Sequence, residues 1–243
     1  MKGVILAGGL GTRLAPLTCV TNKHLLPVYN QPMIYYPIKT LVKGGIKEVL
    51  IVTSGPHVGH FLGLLKNGKE FGLKHLEYAY QEKPDGGIAD ALSLAEDFAD
   101  NGPITVILGD NTTDANIAQA VKKFNGGAHL FLRKVTDPRR YGVVQFDQKK
   151  KIVKIIEKPK TPPSNLAVTG LYIYDSQVFS FIKGIIPSRR GELEITDVNN
   201  MYLQKGHLSW SMLGGYWTDA GTFDALFEAN QYWYKKAQKI KKS

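Results

Sequence analysis

Cysteine is nearly absent. Cys19 is the one cysteine among 243 residues, so no internal disulfide can form and a reducing cytoplasm is the expected setting. No His or Cys stands at nucleophile or metal spacing from it, and it reads as filler in a loop or core. Long hydrophobic runs are missing too, and none approaches a membrane span. The N-terminal apolar run breaks at glycines too early for a signal peptide and lacks a charged n-region. A membrane partner is not expected. With no low-complexity linker and no internal repeat, one domain over residues 1–243 is expected. Acidic residues are scarce, 21 against 31 Lys and Arg, for a net charge of +10. That excess does not describe a nucleic-acid face. Lys235, Lys236, Lys239, Lys241 and Lys242 form a terminal tail, and Lys149-Lys150-Lys151 falls at a hairpin turn between Val143–Phe146 and Ile152-Val153. Neither cluster is interleaved with aromatics, as single-strand binding requires. They read as solvated ends that attract anionic substrates.

What is present begins almost at the first residue. Gly3-Val4-Ile5-Leu6-Ala7 leads into Gly8-Gly9-Leu10-Gly11-Thr12-Arg13, a buried strand opening into a tight loop. Glycines let backbone N–H groups approach and point at an anion. Arg13 adds a planar donor fork suited to phosphate oxygens, and Lys23 supplies a second cation. Together they make a polyphosphate site, with a glycine-rich turn beside a surface arginine as the local alternative. No Lys-Ser or Lys-Thr follows the glycines, so this is not a P-loop. Gly9 and Gly11 fit a dinucleotide fingerprint, but Leu14 stands where its third glycine belongs.

Further along, Pro32–Val42 reads as an amphipathic helix stopped by Gly44-Gly45, and Lys47–Thr53 as a second buried strand. Strand, helix and strand at this spacing form a βαβ unit, which implies a parallel sheet with ligands at the carboxyl ends of its strands. Helices are predicted over 57–65, 88–98, 115–124, 178–186, 197–205 and 223–238. Strands are predicted over 76–80, 104–108 and 129–133. Short alternating strands around Val143, Ile152 and Leu171–Tyr174 suggest an antiparallel lobe. The fold class expected is α/β: a Rossmann-like, mixed but mainly parallel sheet flanked by helices, with a smaller antiparallel lobe.

Two polar spots stand out. Asp110-Asn111 ends the strand Ile104–Leu108, where a carboxylate could hold a divalent cation against a triphosphate; magnesium is the default for hard oxygen ligands. An Asx turn capping the next helix accounts for the pair equally well. Gln81 opens Gln81-Glu82-Lys83-Pro84-Asp85-Gly86-Gly87-Ile88-Ala89. Its amide offers one donor and one acceptor to a pyrimidine edge, and Gly86 and Gly87 let a base lie on backbone. The alternative is a polar turn before a helix.

The string G-G-L-G-T-R-L-A-P-L-T followed by N-K-H-L-L-P-V resembles the signature of the sugar-nucleotide pyrophosphorylases, most closely the glucose-1-phosphate thymidylyltransferases. Tyr216–Thr222 resembles that family's W-x-D-x-G-T segment, whose aspartate, here Asp219, is a second metal ligand beside Asp110. Tyr141-Gly142, Glu157-Lys158-Pro159 and Ala167–Tyr172 each match a segment lining the hexose pocket. The longer Ser188–Asp197 also matches, with the family's arginine there, Arg190, reaching phosphate; loop ordering and helix capping are the alternative for Glu194 and Asp197. By itself Glu-Lys-Pro is a trivial tripeptide; order and spacing within the set give it weight. The resemblance implies in-line attack of glucose 1-phosphate on the α-phosphorus of dTTP, giving dTDP-glucose and pyrophosphate with Mg²⁺ and without a covalent enzyme intermediate.

The same resemblance implies the residue roles. Leu6, Gly8, Gly9, Gly11, Thr12, Arg13, Gln81, Gly86, Gly87 and Asp110 would hold the nucleotide, with Arg13 on the β- and γ-phosphates and Lys23 on the α-phosphate. Asn111, Tyr141, Gly142, Glu157, Lys158, Val168 and Arg190 would hold the sugar phosphate. The nucleotide core would span about 1–135 and 215–243, the sugar lobe about 136–214. Two departures are visible: one glycine more than the usual Pro-Asp-Gly-Leu-Ala, and Asp90 where a glutamine is usual. A UTP-dependent enzyme and a catalytically silent nucleotide-sugar sensor stay open as alternatives. The chain also stops soon after the Trp217–Thr222 segment, so a homo-oligomer and feedback regulation are left undecided.

Overall fold

In the computed structural model, which describes residues 1–242, the run Lys2–Ala7 forms β1, and its alternate residues serve opposite faces. Val4 and Leu6 pack into one core with Leu50, Val52, Leu92 and Phe98. Ile5 and Ala7 pack into another with Ile38, Leu41, Ile51 and Phe61. A strand buried on both faces carries a continuous apolar run, because helices cover the sheet on each side.

Next come the short hairpin strands β2 (Pro27–Val28) and β3 (Gln31–Pro32), then α1 (Tyr35–Lys43), β4 (Glu48–Thr53), α2 (Val58–Leu65) and β5 (His75–Tyr80). The helices α3 (Ile88–Ser93) and α4 (Glu96–Ala99) precede β6 (Ile104–Leu108), β7 (Asn111–Thr113), α5 (Ala118–Lys123) and β8 (Ala128–Lys134). The antiparallel strands β9 (Gly142–Phe146), β10 (Ile152–Glu157) and β11 (Leu166–Tyr174) follow, then α6 (Gln177–Gly184) and α7 (Ile195–Gln204). The chain closes with β12 (Leu208–Met212), β13 (Trp217–Asp219) and α8 (Phe223–Lys242).

One nine-stranded sheet runs in the order β10-β9-β11-β6-β1-β4-β5, with β8 on β11 and β12 on β8. The strands β5, β4, β1 and β6 are mutually parallel, and β11 runs antiparallel to β6. Chain order reverses at β1, which has β4 on one side and β6 on the other. That is the switch point where open α/β sheets bind ligands, and the glycine loop and Asp110 both leave the sheet there.

Several expectations shift. The helix expected from Pro32 begins at Tyr35, because Gln31-Pro32 is paired with Pro27-Val28. The helix expected over 88–98 breaks into α3 and α4, and the one expected from Ala115 is the shorter α5. The antiparallel strands extend the main sheet through β11, whose register on β8 shifts between Val168 and Tyr172. β12 and β13 answer to no expected strand. Among the described residues, no helix is long and apolar enough to cross a membrane.

Candidate active site

A cavity of about 680 Å³ opens over the carboxyl ends of β1 and β6. Its floor and one wall come from Leu6, Gly8, Gly9, Gly11, Thr12 and Arg13. The loop is pinned at Gly9, whose N–H donates to Ser54 Oγ at 3.0 Å. It continues into a short 3₁₀ turn, Thr12–Leu14, and Leu14 is fully buried against Leu226 and Ala229 of α8. That anchor leaves Arg13 on the cavity side.

Lys23 starts a further 3₁₀ turn whose N-cap is Asn22: its Oδ1 accepts from the His24 N–H at 3.0 Å and meets His24 Nδ1 at 2.7 Å. The cap fixes the direction of Lys23, whose Nζ donates to Asp110 Oδ2 at 2.5 Å. Burial, followed by the charge of Lys23, pushes His24 down to about 3, so this ring is neutral. For Asp110, burial favours the protonated form, but the charge of Lys23, with hydrogen bonds from Lys23 and Asn111, outweighs it and holds the carboxyl below its usual range. Asp219 goes the other way, raised by burial and then by the negative charge of Asp110. Two buried carboxylates share one region, and the second resists ionisation unless positive charge arrives.

The Asx-cap alternative for Asp110 fails on geometry. β7 begins directly at Asn111, and α5 receives its side-chain acceptor from Asn116, whose Oδ1 takes the Ala118 N–H at 2.9 Å. β7 pairs with β13 so that Asn111 faces Asp219. Trp217 Nε1 donates to Asn111 Oδ1 at 2.7 Å, and the Ala220 N–H donates to the Asp110 carbonyl at 2.9 Å. Gly221 completes the arrangement by close approach. A Cβ there would lie 2.7 Å from Asp219 Oδ1, 3.0 Å from Arg13 Nη2 and 3.4 Å from Asp110 Oδ2.

The opposite wall is antiparallel. Gly142 opens β9 directly after Tyr141, Glu157 closes β10 opposite Gly142, and the Lys158 N–H donates to the Tyr141 carbonyl at 3.0 Å. Val168 of β11 lines the same space. Burial raises the Glu157 carboxyl, and a hydrogen bond from Thr196 Oγ1 at 2.5 Å partly offsets this. Gln81, Gly87, Asn111 and Lys158 also line the cavity, so nearly every residue singled out in the sequence converges on it.

Two do not: Gly86 and Arg190 are absent from its lining. Gly86 instead holds the turn, its carbonyl accepting from Leu193 N at 2.8 Å. The Arg190 Nη2 donates to both Glu194 oxygens, at 2.7 and 2.9 Å, and to Glu192 at 3.2 Å, and lies 3.6 Å from Glu157. Two loop carboxylates, with Glu157 at the end of β10, engage this guanidinium. Sequence reasoning missed Arg140 and did not single out His24, Tyr172 or Thr196 within the segments it matched; all four line the cavity. Arg140 Nη2 stands 3.5 Å from Asp219 Oδ2; its place just before Tyr141-Gly142 was the available signal.

Residues 2–236 match the family described as Nucleotidyl transferase. This chain belongs to that family. A glucose-1-phosphate thymidylyltransferase of Neisseria gonorrhoeae is 46% identical over 239 residues, covering 96% of this chain and 82% of that one. One from Actinoplanes sp. is 44% identical over 237 residues, covering 96% and 78%. A Bacillus anthracis protein, provisionally designated a glucose-1-phosphate thymidylyltransferase and solved in complex with sucrose, superposes with a TM-score of 0.90 at 50% identity, over 96% of this chain and 94% of that one. A UDP-glucose pyrophosphorylase solved with UDP-glucose shares the fold at a TM-score of 0.83 and 24% identity, over 97% and 98%. The family match contains both cavity walls, the glycine loop and the β13 segment that carries Asp219.

Proposed function

We propose that the protein transfers a thymidylyl group from dTTP to glucose 1-phosphate, giving dTDP-glucose and pyrophosphate. The observation that carries this reading is one cavity flanked by a glycine loop with Arg13 and Lys23 on one side and by Glu157 and Lys158 on the other. The thymidylyltransferases among its relatives favour dTTP and glucose 1-phosphate as the pair.

Asp110 and Asp219 suit Mg²⁺, which takes hard oxygen donors and commonly uses one or two carboxylates together with phosphates. The raised Asp219 carboxyl beside the ionised Asp110 is the imbalance a divalent cation would relieve. When bound, Mg²⁺ would supply charge neutralisation for the triphosphate. The chain's own residues do the rest. The Gly8–Gly11 backbone and Arg13 hold the β- and γ-phosphates; Lys23 stands where the α-phosphate is attacked. Lys158 holds the incoming phosphate and Glu157 accepts from sugar hydroxyls, while Arg190 keeps Glu157 and Glu194 in place. A phosphate oxygen of glucose 1-phosphate attacks the α-phosphorus, and the bond to the β-phosphate breaks in line. Catalysis is then positioning plus charge neutralisation, with no enzyme-bound intermediate. The small-molecule substrates are its partners, and a solitary exposed thiol, Cys19, fits a cytoplasmic setting.

Isotope exchange tests direct attack. Labelled pyrophosphate should enter dTTP only when the sugar nucleotide or glucose 1-phosphate is present. Exchange with dTTP and enzyme alone would mean a nucleotidylated enzyme and overturn the direct mechanism.

A further inference from the structure

Gln81 directly follows β5, its backbone N–H donating to the Thr53 carbonyl at 2.8 Å, and the residue is only 3% exposed. A buried side-chain amide must be oriented, because its two ends are chemically opposite while their shapes are nearly the same. Here the neighbours decide the matter. Nε2 sits 2.7 Å from Asp90 Oδ2 and 3.5 Å from the Gly87 carbonyl. A carboxylate and a carbonyl only accept, so the nitrogen must face them. Oε1 then points toward the glycine loop, close enough that a Cβ on Gly8 would stand 2.5 Å away.

Asp90 is held for this task. It falls in the first turn of α3, where the helix favours a negative side chain. It curls back over the preceding loop, so that a Cβ on Gly86 would stand 2.4 Å from its Oδ2. That loop is itself fixed: the Ala89 N–H donates to the Leu193 carbonyl at 3.1 Å, and Leu193 returns a hydrogen bond to Gly86. Asp90 is not part of the cavity lining, whereas Gln81 is.

We infer that Asp90 is a positioning residue that locks the Gln81 amide with its oxygen toward the base and so selects pyrimidines bearing an N3–H. Thymine and uracil carry that donor; cytosine presents a bare N3 acceptor, which would face Oε1 lone pair to lone pair. The inference rests on the proposed function in placing the base of the nucleotide against Gln81. It leaves the methyl group unread, so Asp90 separates thymine and uracil from cytosine and does not separate them from each other.

The test is nucleotide binding by calorimetry, which requires no reaction, on the full chain and on Asp90→Asn. An asparagine can donate as well as accept, which frees Gln81 to turn over. Expected is a fall of roughly tenfold in the dTTP-to-dCTP affinity ratio, the scale of one hydrogen bond gained or lost. dUTP should follow dTTP, and the glucose 1-phosphate KM should stay unchanged. Asp90→Ser, which withdraws the acceptor, should give a change of the same sign and serves if Asp90→Asn does not fold. A ratio within twofold of the parent in a folded variant overturns the inference. So does a common loss for dTTP, dUTP, dCTP and glucose 1-phosphate, which marks a purely structural role, and so does a parent protein that binds dTTP and dCTP equally. A parent that discriminates dTTP from dCTP yet makes no dTDP-glucose would refute the proposed reaction while supporting the assignment of Asp90.

Discussion

Asp110 is the residue on which the cavity's charge turns. It is 6% exposed, receives Lys23 at 2.5 Å and Asn111 Nδ2 at 3.2 Å, and faces a second carboxylate in Asp219. Asp110→Asn keeps the shape and one acceptor for Lys23 while removing the charge. Turnover should fall by roughly 10²–10³-fold, the scale of electrostatic transition-state groups, with an unchanged circular dichroism spectrum; near-normal turnover would remove Asp110 from its role. His24 offers a separate check. Its folded value of about 3 lies below the unfolded 6.5, so the unfolded chain takes up the proton first and stability falls as pH drops from 6.5 toward 3. In urea titrations across that window, His24→Gln should show a slope smaller by about one proton. Asp110 was legible because a strand end followed by Asp-Asn is a short, local pattern. The isolation of His24 was not, since a histidine between Lys23 and Leu25 gives no local sign that Asn22 caps it and Gly109 closes over it.

At the scale of elements, the site depends on two joints. The first is β13 against β7, where Gly221 leaves room for Asp219, Arg13 and Asp110 to crowd one point. Gly221→Ala should cost on the order of 10² in turnover, as displacement of catalytic groups by about an ångström does, while the thermal midpoint moves little. The second is α7 against β10, made by Thr196 on Glu157 and by Asn200, whose Oδ1 accepts from Ile155 N at 2.9 Å. Thr196→Val removes the donor that offsets burial at Glu157, so that carboxyl should rise further. The glucose 1-phosphate KM should increase by roughly 3–10-fold, more steeply at lower pH, with kcat nearly constant; an equal fall in kcat would argue against a sugar-binding role.

The long apolar strands β1, β4 and β6 announced themselves in sequence, because burial on both faces demands continuous hydrophobic runs. β13 has three residues and owes its existence to β7, a partner more than a hundred positions away, and β12 carries exposed Trp210 and Met212 on its pattern. β13 is too short to carry a periodicity, whereas Leu208-Ser209-Trp210-Ser211-Met212 of β12 alternates apolar and polar strictly and was a strand signal left unread. The dependence on a distant partner that hides β13 also explains Arg190. Glu192 and Glu194 are visible beside it in the chain, but their convergence with Glu157 around one guanidinium is a product of folding.

Across the whole molecule, the strand order β5-β4-β1-β6 brings chain segments far apart in sequence to one switch point, and β11 carries the sheet on to the antiparallel strands β9 and β10. The cationic excess is not spread over that cavity, since much of it lies in the lysines of α8. Charges outside the cavity are screened by salt beyond about 10 Å, so catalysis should depend on the few cations that line the cavity. The most direct test of the whole assignment is pyrophosphate release with magnesium, comparing dTTP, UTP, CTP, ATP and GTP against glucose 1-phosphate and other sugar 1-phosphates. A strong preference for dTTP with glucose 1-phosphate is expected. Equal use of UTP would contradict the assigned base, and no release with any pair from folded, nucleotide-binding protein would contradict the reaction itself.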